Sequence, residues 1–368
     1  MTAEQKNNTK GLKDKSRSSN ALPSKAFITG LKSLPTATAG RLSKLKGLSS
    51  SRIKALDKYL VPASESSAVS TAEIDGYIPL KNRLTAWWHG EDIVLSTKPV
   101  RKEDHRAIEV SEHHDPRRWN PDSISMAQNL WGKGFAEPGG PVFAKKLLSL
   151  MKFEPSNTIL DLSAGLGGTA CILSKEYKLW MDAFEANEEL ANSGFQFASR
   201  SGLAKKVPIK YVNFEALELP NKKYDQIYSL DSLFMIENKK NVIKQIAKSL
   251  KNKGQILIVD YILADKCNSV SVKKWINSEP EKPHPWTVEL YKTALSHYGI
   301  TVWSVNDLSE EYFNQIHEGW LAMVERIDKG DFDRNSIDML MREGEIWLNR
   351  ARAIEAGDLT IQRIHGVV

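Results

Sequence analysis

From about residue 159 onward, short apolar runs alternate with longer stretches in which apolar residues recur every three or four positions. The runs at 158–163, 179–185, 207–213, 224–230 and 255–262 have strand length, and 166–176, 187–202 and 237–251 carry the helical period between them. Strand and helix in alternation predict a mostly parallel sheet with helices on both faces, a doubly wound α/β fold. A sixth strand is expected at 300–305, then a helix over 334–355, a turn at Ala356-Gly357-Asp358 and a last alternating run at 359–365. A strand arriving so late suits antiparallel insertion, which makes the sheet seven-stranded.

The first third of the chain has a different texture. Residues 1–35 are rich in Ser, Lys, Asn and Thr, and such a segment buries too little apolar surface to offset its ordering entropy. Leu42, Leu45, Leu48, Ile53, Leu56 and Leu60, with Lys and Arg between them, suggest a weakly amphipathic basic helix, suited to peripheral contact with an anionic membrane. The plainer alternative is a solvated tail. A Ser/Ala-rich linker at 62–72 precedes Leu80, Leu84, Trp87 and Trp88, whose spacing gives one apolar helical face. The expected organisation is therefore a disordered basic tail (1–60), a helical N-terminal extension (61–125) and a catalytic domain (126–368).

Composition refines this division. The 368 residues are 41% hydrophobic, enough for a full core, and the net charge of +6 is unevenly spread. Residues 1–60 hold 13 Lys/Arg against three acids, so the remainder of the chain is net negative. Two distant cysteines, Cys171 and Cys267, propose neither a disulfide nor a zinc site and suit a reducing, cytoplasmic compartment. The adjacent His113-His114-Asp115 do not share a helix face and have no partner at ligand spacing, so no metal is expected. No apolar run reaches the roughly 18 to 20 residues of a spanning helix, and the polar start does not read as a secretory signal.

The chemistry concentrates after the first strand. There the chain must turn into a helix while bringing backbone close to a ligand, and Ser163-Ala164-Gly165-Leu166-Gly167-Gly168 has the small residues this needs. Taken alone, the turn also suits a dinucleotide or simple helix–sheet packing. Glu185 closes the second strand 20 residues beyond Gly165, where a carboxylate can accept both ribose hydroxyls; a helix-capping acid is the structural alternative. After the third strand Glu215 is offered as an acceptor for an adenine amine, and the fourth strand ends in Tyr228-Ser229-Leu230-Asp231, which sets Asp231 at the carboxyl edge of the sheet.

These motifs, with Trp131 to Gly140 upstream and Ile258-Val259-Asp260-Tyr261 downstream, resemble the class I S-adenosylmethionine-dependent methyltransferases over roughly residues 129–365. Among them the chain is most similar to the phosphoethanolamine and small-amine N-methyltransferase group. The resemblance implies a Rossmann-like fold with S-adenosylmethionine as cofactor. Asp161 and the backbone of Ser163, Ala164, Gly165 and Gly167 would surround its methionine part, Glu185 and Ala186 its ribose, Glu215 and Ala216 its adenine, and Gly139-Gly140 would close over it. Leu230 would border the cofactor, and Asp231 and Tyr261 would serve catalysis at a small-molecule acceptor, an amine or lipid-related compound.

Departures from that group bear on the acceptor. Ser163 replaces the first glycine of the usual loop, Met235 stands in place of a histidine, and Ala127 in place of its tyrosine partner. Glu281 falls near the position of a phosphate-binding arginine, and an acid there repels a phosphomonoester, so phosphoethanolamine itself is not the expected acceptor. His284, Trp286 and Tyr291 offer an aromatic lining for a cationic amine, although ordinary packing of a loop and helix is the more frequent role for such residues. Two other readings stay open: a nucleic-acid methyltransferase, suggested by the basic tail but lacking a Pro-Pro-aromatic motif after Asp231, and a non-catalytic module that binds the cofactor without transfer. Nucleic acid is accordingly not an expected partner.

Overall fold

In the computed structural model of the chain, the described residues are 118–264, 269–329, 332 and 334–368. The basic tail, the linker, the apolar face at 80–88 and the His113-His114-Asp115 cluster lie outside them.

Helix α1 (Pro121–Trp131) starts at a capping box, in which the Asn120 side chain accepts from the backbone of Ser123 and the Ser123 hydroxyl accepts from that of Asn120. After α2 (Gly140–Leu147) come β1 (Thr158–Asp161), α3 (Gly168–Tyr177), β2 (Trp180–Glu185), α4 (Glu188–Arg200), β3 (Ile209–Tyr211) and β4 (Tyr224–Leu230). Then follow α5 (Lys239–Ser249), β5 (Leu250–Leu263), α6 (Val270–Ser278), α7 (Val288–His297), β6 (Thr301–Asp307), α8 (Ser309–Asp328), α9 (Arg334–Glu355) and β7 (Leu359–Val367).

The sheet order is β3-β2-β1-β4-β5-β7-β6. The first five strands pair in parallel, and β7 enters antiparallel between β5 and β6, as the hydrophobic pattern predicts. The order reverses between β1 and β4, and ligands of open α/β sheets bind outside the carboxyl ends of the strands at such a point. The pattern is less informative about lengths. β3 keeps only three residues, and β5 begins at Leu250, directly after α5. The helices α6, α7 and α8 fall in stretches to which the pattern assigned no bounds.

Alternation along the strands explains the two cores. On β5, Ile256, Ile258 and Ile262 join a cluster on one face of the sheet, while Leu257, Val259 and Tyr261 join a larger one on the other. The larger cluster includes Trp131, Tyr312, Trp320 and Trp347 from α1, α8 and α9. Trp131 meets Trp347 edge-on at 5.0 Å, so α1 packs against α9 within this larger cluster.

Candidate functional site

At the carboxyl edge of β1, Asp161 is fully buried and both of its oxygens are taken. Oδ1 accepts from the Ser163 backbone and hydroxyl at 2.8 and 2.9 Å, and Oδ2 accepts from the Tyr228 hydroxyl at 2.8 Å. Burial pushes its carboxyl up to about 6, against these hydrogen bonds. The Ser163 hydroxyl in turn accepts from the Leu230 backbone at 2.8 Å. The serine that replaces a glycine thus ties β1 to β4 instead of obstructing the loop.

Beyond it the chain makes the tight turn that the sequence predicts. The Gly167 amide donates to the Ala164 carbonyl at 2.7 Å, and Gly167 takes a left-handed φ of 84° that favours glycine. Gly168 lies so close to the preceding approach segment that an added Cβ would sit 2.4 Å from the Gly134 carbonyl. Helix α3 starts here without a side-chain cap. The Gly168 amide donates to the Gly134 carbonyl at 2.8 Å, and the amides that follow it are the kind of donors that an anionic or carboxylate group can use. Glu185, 8% exposed, accepts from the Gly165 amide through Oε2 (2.7 Å) and from the Asn187 amide through Oε1 (2.9 Å). Burial raises its carboxyl to about 7, and those two backbone bonds pull it down. Each oxygen keeps a second acceptor position, the arrangement that suits a ribose diol.

A cavity of about 210 Å³ opens between this loop and the C-terminal helices. Ser163, Gly165, Glu185, Ala186 and Leu230 line one end; Asp231, Ser232, Phe234, Met235, Glu137, Glu279, Glu281, Arg118, Trp119 and Arg350 are on its wall as well. Asp231 follows β4 with a left-handed φ of 52°, a conformation that Asp tolerates better than most residues and that turns its carboxylate inward. Its Oδ2 accepts from the Tyr312 hydroxyl at 2.7 Å, whereas its buried Oδ1 has no hydrogen-bond partner. Burial pushes the Asp231 carboxyl well above the ordinary range.

Charged groups from distant parts of the chain complete this wall. Arg350 grips Glu279 through Nε (2.6 Å) and Nη2 (2.9 Å), both side chains being almost wholly buried. Burial disfavours the Arg350 cation, and Glu279, with smaller contributions from Tyr261 and Glu137, together more than offset that. Arg118 likewise pairs with Glu343 through both Nη atoms. Each of these glutamates also accepts from a tryptophan four residues away on its helix side: Trp275 to Glu279 and Trp347 to Glu343, both at 2.7 Å. Glu137 stands 3.7 Å from Arg350 Nη1, too far for a good hydrogen bond, and its carboxyl is raised by burial, with Arg350 lowering it and Asp231 raising it.

Of the fourteen residues expected from sequence, six lie on the cavity wall: Ser163, Gly165, Glu185, Ala186, Leu230 and Asp231. Asp161, Ala164 and Gly167 shape the loop from behind, and Gly139 and Gly140 turn the chain into α2 without reaching the wall. Glu215 and Ala216 sit on a 3-10 turn (Phe214–Ala216) off the cavity. There the Glu215 carboxylate accepts from the Glu237 and Asn238 amides at 2.8 and 2.9 Å and so caps the approach to α5. Tyr261 is fully buried behind the wall, stacked near Trp275 and Phe234 with Arg350 over its ring; its hydroxyl has no hydrogen-bond partner. For Trp286 and Tyr291 the packing alternative describes what is seen. Tyr291 donates to the buried Asp260 and Trp286 packs on Tyr291, while Trp119 and Phe234 face the cavity. Met235 and Glu281 are on the wall; Ala127 is buried in α1 and is not.

The residues missed are Arg118, Trp119, Glu137, Glu279, Glu343 and Arg350. A signal existed for some of them. Glu343, Trp347 and Arg350 recur at i, i+4 and i+7, placing two charges on the apolar face of α9, and Glu279 follows Trp275 by four. Charges on a buried face imply partners.

Residues 139–305 match the sequence model of a methyltransferase-domain family. The chain is 23% identical over 244 residues to phosphoethanolamine N-methyltransferase 1 of Arabidopsis thaliana, a match covering 66% of this chain and 49% of that protein. It is 29% identical over 123 residues to a sarcosine/dimethylglycine N-methyltransferase of Aphanothece halophytica, covering 33% of this chain and 44% of that one. The chain thus spans about half the length of the first curated relatives it matches. Its fold is similar to that of Haemonchus contortus phosphoethanolamine N-methyltransferase 2 solved in complex with S-adenosyl-L-methionine, at a TM-score of 0.60 and 18% identity over 68% of this chain and 57% of that one.

Proposed function

We propose that this chain, whose residues 139–305 match a methyltransferase-domain family, transfers the methyl group of S-adenosylmethionine to a small-molecule amine. The observation that carries the reading is Glu185: a buried carboxylate on the cavity wall, aimed by the Gly165 and Asn187 amides and retaining acceptor capacity on both oxygens. Next to it are the tight turn at Gly167 and the uncapped start of α3. Among the proteins this chain resembles, two groups carry names of amine N-methylating enzymes, one for phosphoethanolamine and one for sarcosine and dimethylglycine.

S-adenosylmethionine supplies a methyl group on a sulfonium, open to direct displacement by a nitrogen lone pair. The chain's part is alignment and exclusion of water. Ser163, Gly165 and Leu230 would hold the methionine side of the cofactor, and Glu185 with Ala186 the ribose. Asp231 would orient the amine or take its proton, its Oδ2 steadied by Tyr312. Tyr261 would support Asp231 and Arg350 from behind. Glu215, bonded to the Glu237 and Asn238 amides, leaves adenine to the apolar surface near Ala186 and Leu190.

Calorimetry with S-adenosylmethionine, followed by detection of S-adenosylhomocysteine with a pool of small amines, tests this function. Binding and turnover are the expected result, and binding without turnover on any pool would favour a non-catalytic module. Glu185→Ala should weaken cofactor binding by about 1–3 kcal/mol through lost ribose hydrogen bonds. Unchanged affinity would reject the assigned cradle.

A further inference from the structure

Five carboxylates and two arginines line the cavity. Each arginine forks onto a glutamate, Arg118 onto Glu343 and Arg350 onto Glu279, and the remaining Nη1 of Arg350, without a hydrogen bond of its own, stands 3.7 Å from Glu137 Oε2. Glu185 belongs to the cofactor end. That leaves Glu137 and Asp231 facing the acceptor end, with Glu281 at its exposed margin. The buried Oε2 of Glu137 and Oδ1 of Asp231 are both without a hydrogen-bond partner, and so is the hydroxyl of Tyr261, a fully buried side chain within electrostatic reach of both carboxylates. Unsatisfied acceptors enclosed in this way are costly unless a donor arrives. A carboxylate accepts only, so what it lacks is a donor or a positive charge, and an ammonium supplies the charge whether or not its nitrogen keeps N–H donors.

We propose that Glu137 and Asp231 form the recognition pair for the acceptor's cationic nitrogen, and that the cavity selects small amines without a phosphate group. This rests on the methyltransferase reading and narrows its substrate class. Phe234 and Trp119 on the same wall already have Arg350 and Arg118 over their rings, at 5.6 and 4.5 Å, so they contribute apolar surface beside the carboxylates. Lysine is absent from the described residues of the wall, and its two arginines are outnumbered by five carboxylates, with Arg350 shared between Glu279 and Glu137, so a phosphate would meet a wall of net negative charge. Glu137 is a specificity residue in this arrangement, contributed by the segment leading into α2, where the sequence alone offers no reason to single it out.

The test uses choline and phosphocholine as probes, since they share a fixed cation and differ by the phosphate. Each is titrated calorimetrically, above neutral pH, into the full chain loaded with S-adenosylhomocysteine. Choline should bind at least about tenfold more tightly than phosphocholine, and Glu137→Gln should weaken choline by about tenfold while S-adenosylhomocysteine affinity holds. Glu137→Asp, which keeps the charge, should recover part of the loss. Retained S-adenosylhomocysteine affinity also shows that each variant is folded. Equal or tighter phosphocholine binding, absence of choline binding, or choline binding indifferent to Glu137→Gln would overturn the proposal. A parallel loss of S-adenosylhomocysteine affinity in Glu137→Gln would reassign Glu137 to the cofactor and overturn it too. If wild-type chain does not bind S-adenosylhomocysteine at all, the methyltransferase reading falls, and this inference with it.

Discussion

The two ends of the cavity, the proposed cofactor end and the proposed acceptor end, are built on opposite principles. The cofactor end is made of backbone from one short loop and a single carboxylate, and its geometry is fixed by hydrogen bonds between residues at most 67 positions apart, as from Tyr228 to Asp161. The acceptor end is made of charged side chains contributed from residue 118 to residue 350 and held by buried ion pairs. Backbone cradles depend on turn geometry, which tolerates changes of side chain as long as small residues remain. Ion-pair walls depend on every partner being present, because removing one leaves another charge uncompensated in a dry place. The first should therefore persist as acceptors change, and the second should set which acceptor is used.

The largest expected effect breaks the wall and spares the cradle. Arg350→Met leaves Glu279 buried without its cation and removes the nearest positive charge to Glu137, at a cost of about 3–5 kcal/mol of stability. Denaturant unfolding measures this. The double variant Arg350→Met, Glu279→Gln removes both charges and should recover most of the loss, whereas equal instability of single and double variants would mean that the guanidinium's contact with the Trp347 and Tyr261 rings matters more than its pairing with Glu279.

That contrast also explains what could be read in the sequence. The sheet, its antiparallel last strand and the loop at 161–168 are written in local pattern: strand-length apolar runs, a small-residue turn and an acid at a fixed distance. The acceptor end is written in pairings between distant segments, and no single stretch reveals them. Arg350 looks like any helical arginine until Trp347 and Glu343 are seen to share its face, and Glu137 looks like a loop acid until α9 brings Arg350 to it. Glu215 shows the converse failure. An acid just after a strand reads the same whether it faces a ligand or caps the next helix, and only three-dimensional placement tells the two apart.

A smaller effect sharpens the cofactor end. Burial holds the Glu185 carboxyl near 7 in the chain as it stands, and hydroxyl donors from a ribose favour its ionised form. Binding should then lower that value and release a proton. The sign follows directly: affinity for S-adenosylmethionine rises as pH increases through about 7 and levels off above, by less than about tenfold in all. Calorimetry in buffers of different ionisation enthalpy reads the proton release. Affinity independent of pH, with no proton exchanged, would mean that Glu185 is ionised before the cofactor arrives and that its two backbone donors outweigh its burial.

The smallest effect separates the cradle from its surroundings. Glu215 holds two amides at the entry to α5, so Glu215→Ala should behave as the loss of a helix cap and cost about 1 kcal/mol of stability. Its carboxylate is exposed and away from the cavity wall, so cofactor affinity should stay where it was. Thermal or denaturant unfolding measured beside calorimetric titration distinguishes the two readings of this residue. A stability loss with unchanged affinity fits a cap. A fall in affinity comparable to that of Glu185→Ala, with stability unmoved, would put Glu215 at the adenine after all, and would require the 3-10 turn at Phe214–Ala216 to swing toward β2 when the cofactor binds. The cradle would then be a device that closes by side chains as well as backbone, and the contrast with the acceptor end would narrow to the number of charges each employs.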